Sequence, residues 1–201
     1  MDWLPSLLPI TVVAAIALFA LKEVLEFIRR RSADRRKSHA FRTLLARECE
    51  VNHWAHWRLQ ETLREIHEDH EKGVKATYTA TELPGGDALW RRTDQGGGYS
   101  GGGLPDARTD LISKIMVDVA TMDKKLFTPL ENAYDSLIEM RHIRASLLRF
   151  VSSKDEEDQM HLQGFPEYGL SELEGVKEDL DKLYLECTGR SIDRTDMRVR
   201  G

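Results

Sequence analysis

The rhythm of apolar and polar positions changes near residue 28. Before it, apolar residues run almost unbroken: residues 3–21 carry no charge, and Val24, Leu25, Phe27 and Ile28 extend the run past Lys22 and Glu23. A hydrocarbon core of about 30 Å needs about 20 such residues. Residues 1–28 are therefore read as a transmembrane anchor, with Lys22 reaching back toward the headgroups. Pro5 and Pro9 suit a helix start, where a missing N–H costs little, and Trp3 suits the interface. A cleaved signal peptide carries its positive charge ahead of the apolar run. Here only Asp2 and the terminal amine precede it, and the arginines follow. A buried core helix is the other alternative.

After residue 28 the pattern is helical. Residues 10–72, 63 in all, contain neither proline nor glycine, the two strongest helix breakers. They predict one long helix or two nearly collinear ones, up to roughly 95 Å long. Within residues 38–72, Phe41, Leu44, Leu45, Val51, Ala55, Leu59, Leu63 and Ile66 fall in one apolar sector of the helical wheel. Lys72-Gly73 is a good stop. Trp54 and Trp57 lie off that sector and are candidate partner contacts, unless a second helix covers them. Cys49, His53, His56, Gln60, His67 and His70 form a stripe beside it. His53/His56 and His67/His70 have the i, i+3 spacing that lets imidazoles share a metal. No carboxylate or thiolate completes the set, so the histidines are expected to be solvated. Two E-x-x-H motifs, Glu50 with His53 and Glu139 with His142, match half of a di-iron site. Such ligands must project into the bundle, whereas both motifs lie opposite the apolar stripes and are expected to face solvent.

Residues 73–105 read as a flexible glycine-rich loop. Residues 74–81 and 88–93 are suited to a small hairpin across Pro84-Gly85-Gly86-Asp87, and 95–105, with two Gly-Gly-Gly runs, to a linker. Residues 106–188 return as helices. Asp106 can cap a first one, with Leu111, Ile112, Ile115, Val119, Met122 and Leu126 as its stripe. Thr128-Pro129-Leu130-Glu131 is a capping box that starts or kinks the next. Ser153-Lys154-Asp155-Glu156 opens a short acidic turn ended by Gly164 and Pro166. Ser171 starts a last helix striped by Leu173, Val176, Leu180, Leu183 and Cys187, and Gly189 ends it. Residues 189–201 are expected to be disordered. The fold class is thus all-α: a single transmembrane helix, a long amphipathic helix, and an antiparallel bundle or coiled coil.

Charge adds direction. Residues 22–37 hold seven basic and three acidic side chains, a balance of +4; residues 154–186 hold eleven acids against three lysines, −8. The basic collar of residues 29–37, with Arg29, Arg30, Arg31, Arg35, Arg36 and Lys37, sets topology by the positive-inside rule. It places the amino terminus outside and the bundle in the cytoplasm, as at a bacterial inner membrane. The collar also meets lipid headgroups. A uniform basic face for nucleic acid is absent. The two cysteines have no metal or redox spacing. No catalytic motif or cofactor signature occurs, so a non-enzyme is expected. The leading reading is a membrane-anchored scaffold, adaptor or regulatory subunit, self-associating or bound to another membrane or cytoplasmic protein. One alternative is a metal- or redox-responsive protein using the His/Cys stripe. Another is a membrane-active effector that oligomerises its anchor.

Overall fold

A computed structural model describes residues 10–197; the expectations for Trp3, Pro5 and Pro9 lie outside the described residues. Two compact units, Met1–Ala40 and Phe41–Gly201, divide the chain. Helix α1, Ile10–Glu71, covers the breaker-free stretch. In the first unit its large apolar side chains from Val12 to Ile28 are exposed. Among the described residues no helix is long and apolar enough to cross a membrane. The described helix begins at Ile10, and Lys22 and Glu23 end its uncharged run; residues 3–9, which would lengthen that run, are not among the described ones.

The second unit is mostly helical but not all-α. After α1 come β1 (Thr77–Glu82), β2 (Ala88–Thr93) and β3 (Tyr99–Leu104), then α2 (Asp110–Met122), α3 (Lys124–Ser152), α4 (Glu156–Thr188) and a 3-10 turn, Arg194–Asp196. The strands form an antiparallel sheet in the order β1-β2-β3. The expected hairpin is present, with Thr77 opposite Thr93 and Glu82 opposite Ala88. The expected linker is not: it supplies a turn and the third strand, with Ala88 opposite Leu104 and Thr93 opposite Tyr99. The first glycine run closes the turn. Asp94 N–H donates to the Gly98 carbonyl, Gly98 N–H to Asp94 Oδ1 at 2.9 Å, and Gly97 takes φ +80°. In the second run a Cβ on Gly102 would stand 2.6 Å from Arg58 Nη2, and one on Gly101 2.3 Å from the Trp90 carbonyl oxygen. These glycines serve close approach within a sheet rather than flexibility.

The helix boundaries also moved. Asp123, not Thr128, starts α3: its carboxylate accepts from the Leu126 N–H, and Pro129 lies inside the helix. Helix α4 runs through Gly164 and Pro166, both expected to end a turn, and through Gly169. Tertiary packing overrides propensity here. Pro166 and Gly169 are both buried, and Gly169 lets helices come together. A Cβ there would stand 2.9 Å from Leu63 Cδ1 and 3.3 Å from Ile143 Cγ2. The Gly169→Val change is expected to lower stability by about 1–3 kcal/mol through overpacking. Gly175, whose Cβ would meet nothing, should instead gain about 0.5–1 kcal/mol as alanine. Urea midpoints of the two variants check this; shifts of the same sign would contradict it.

Along α1, Arg42, His53 and His56 meet Glu186, Asp181 and Leu173 of α4 in turn, so the two helices run antiparallel. The core joins Leu45, Leu59, Leu63 and Ile66 of α1 to Leu130, Leu137, Ile143 and Leu147 of α3 and Leu173, Leu180, Leu183 and Tyr184 of α4. Beyond Thr188 the chain makes the short 3-10 turn Arg194–Asp196. Arg190 pairs with Asp196 at 2.6 Å and lies over the Tyr184 ring.

Candidate functional site

The buried seam of α1 repeats at intervals of four and three residues: Leu45, Cys49, Asn52, His56, Leu59, Leu63 and Ile66. That is coiled-coil spacing, with polar residues at two seam positions. Each polar side chain has a defined task. Asn52 donates to the Arg108 carbonyl at 2.9 Å and accepts from its N–H at 2.7 Å, pinning the segment before α2 onto α1. His56 Nε2 lies 2.8 Å from the Leu173 carbonyl, which can only accept, so that nitrogen carries the proton.

His53 sits one turn away and is equally buried. The expectation of solvated histidines is wrong for this pair. The wheel placed them beside the apolar sector, but α4 covers that flank. Of the second motif His142 is exposed and Glu139 half-buried, while the Glu50 motif sends its histidine inward. His53 Nε2 stands 3.2 Å from Asp181 Oδ1, and neither atom finds hydrogen-bond geometry. Burial pushes the His53 pKa down to about 4, against the smaller opposing pull of Asp181. Burial also lowers that of His56, partly offset by its bond to Leu173. Both rings are thus neutral at pH 7. Burial holds Cys49 well above the ordinary thiol range and pushes Cys187 up to about 12, so neither is a reactive thiolate. His67 and His70 lie half-buried farther along α1. Among the described residues no three His, Cys, Asp or Glu side chains gather as a metal site.

Two further polar clusters were invisible to spacing arguments because they join distant segments. Asp69 of α1 accepts two bonds from Arg92 of β2, at 2.6 and 2.7 Å, and one from the Tyr78 hydroxyl of β1 at 2.8 Å. Arg92 holds the Asp69 carboxyl below its usual range. Beside it Glu65 accepts from Trp90 Nε1 and the Ser100 hydroxyl. These contacts seat the sheet on α1. On the other side, buried Arg144 of α3 donates to the carbonyls of Gly86 and Leu104.

The surface features carry the functional argument. Ten large apolar residues from Val12 to Ile28 are between 39% and 68% exposed. At about 100° per residue they cover the helix except for one sector of about 100°, where Lys22 and Glu26 lie. Arg29, Arg30, Arg31, Arg35, Arg36 and Lys37 follow, all exposed. Trp54 and Trp57 are half-buried and in contact, ring centroids 4.9 Å apart and planes tilted by 37°, with the Arg58 guanidinium over Trp57. Exposed Glu172, Glu174 and Glu178 line the outer side of α4. Compared with known protein families, curated proteins and solved structures, the chain finds no match.

Proposed function

We propose that this chain is a single-pass, membrane-anchored helical scaffold or regulatory subunit that works through protein contacts at the cytoplasmic face of a membrane. The observation that carries the reading is the exposed apolar segment of residues 12–28. A helix apolar on nearly all sides belongs in a bilayer or a large core. The uncharged run of residues 3–21, 19 residues, would span about 28 Å as helix, close to the hydrocarbon thickness. The arginines after it orient the bundle inward.

Protein contact is the proposed mode of action because Asn52, His56, Asp69 and Arg144 inside the bundle are engaged in holding it together. The half-exposed Trp54/Trp57 pair is a proposed partner contact. The acidic flank of α4 complements the basic collar, which favours self-association between copies.

The test uses the full-length chain. It should pellet with membranes, resist alkaline carbonate, and give a mass above one chain by light scattering in mild detergent. Removing residues 1–28 should move it to the soluble fraction. A full-length product that stays soluble without detergent would end the anchor reading. A strictly monomeric one that captures no partner would end the scaffold reading.

A further inference from the structure

We infer that the basic collar is a recognition surface for anionic phospholipid headgroups surrounding the helix, an inference that rests on the anchor reading above. The argument is the distribution of the charges, not their number. Taking Arg29 as zero and about 100° per residue, Arg30, Arg31, Arg35, Arg36 and Lys37 fall near 100°, 200°, 240°, 340° and 80°. No gap in this ring exceeds about 100°. Residues 29–37 hold six basic side chains and one acid, Asp34, so 6 − 1 leaves +5. All six basic residues are exposed.

Topology needs positive charge near the apolar segment but is indifferent to which side of the helix carries it. A nucleic acid engages one face and would be met by a stripe. Lipid headgroups surround a spanning helix on every side, and a ring meets them on every side. The ring starts at the residue after Ile28, the last of the exposed apolar side chains. It ends about 14 Å farther along the helix, little more than the Debye length of about 10 Å at 0.1 M salt. Five of the six residues are arginine, whose planar fork binds phosphate through two parallel hydrogen bonds. Among these arginines, Arg30 also bonds Glu26 and Arg36 Nε bonds the Ser32 carbonyl within their own helix. Both carry further N–H groups toward solvent.

The test reconstitutes the full chain into phosphatidylcholine vesicles containing a trace of spin-labelled phosphatidylcholine or spin-labelled phosphatidylglycerol. Electron paramagnetic resonance then reads the fraction of each lipid held at the protein. The expected result is about a threefold preference for phosphatidylglycerol at 0.1 M salt. It should fall to near parity in 1 M salt, where the Debye length is about 3 Å. It should also fall in the variant carrying Arg29, Arg30, Arg31, Arg35 and Arg36→Gln. Glutamine nearly matches arginine in helix propensity, and unchanged circular dichroism verifies the fold. Equal association of both lipids with the wild type, in vesicles that do incorporate it, overturns the inference and leaves the anchor standing. Failure to float with pure phosphatidylcholine vesicles removes the anchor and the inference together. Tight binding of a single-stranded oligonucleotide by the detergent-solubilised chain, lost in the same variant, would reassign the ring to nucleic acid.

Discussion

Replacing Asp69 with alanine should destabilise the second unit by about 3–5 kcal/mol, the usual loss when one partner of a buried pair is removed. Asp69 is nearly buried, and it accepts both Arg92 bonds and the Tyr78 hydroxyl. Without it Arg92, whose side chain is only 16% exposed, keeps its charge with less of its solvation replaced. Part of its field remains through Glu65 at 3.9 Å, which puts the expected loss toward the lower end. The double change Asp69→Ala with Arg92→Leu should recover part of it, because no charge is then stranded. Urea unfolding followed by tryptophan fluorescence is suitable, since Trp90 stacks on Tyr78 and reports on the sheet. A loss below about 1 kcal/mol would mean that water replaces the carboxylate freely and the sheet does not depend on this clamp.

Acidification should weaken the bundle well before the carboxylates titrate. His53 takes up its proton near pH 6.5 in an unfolded chain but only near pH 4 in the fold, because burial penalises the charged ring. The unfolded state therefore binds more protons between those values. The stability contributed by neutral His53 is complete above pH 6.5 and drains away as the pH falls toward 4. From the two values, about 2 kcal/mol should be gone by pH 5, or roughly 4–8 °C of melting temperature for a unit of this size. His56 shifts in the same direction and adds to the slope. Asp181 lies close to His53 and limits the effect, while Lys177 acts the other way. Melting curves at pH 7.5 and 5.0 measure it. His53→Leu, which keeps the side chain apolar and removes the titrating ring, should flatten the dependence. Equal melting temperatures at the two pH values would show that Asp181 or entering water stabilises the charged ring.

Much of the helical plan was legible in order and period. The breaker-free stretch, the last stripe through Leu173, Val176, Leu180 and Leu183, and the hairpin across Pro84-Gly85-Gly86-Asp87 all follow from local rules. Reading composition in place of geometry produced the errors. Six glycines within residues 96–103 resemble a linker until the Arg58 side chain and the Trp90 backbone are seen against two of them. The histidine stripe resembles a solvated flank because its chemistry is polar. Two signals that were available pointed elsewhere: the four-three spacing through Cys49, Asn52 and His56, and the acceptance of asparagine at coiled-coil seam positions.

Chain order alone, through hydrophobic period, breaker spacing and charge blocks, determined where α1 lies, that helices return after it, and that an uncharged run of residues 3–21 is followed by a cluster of arginines. Those properties depend on neighbours within a few turns. Only the packed structure decided which flank of α1 is buried, that Gly169 and Pro166 sit within one helix, and that Asp69 and Arg144 clamp the sheet. Each of these depends on residues far apart in sequence, whose encounter is set by shape and by the cost of leaving a buried polar atom without a partner.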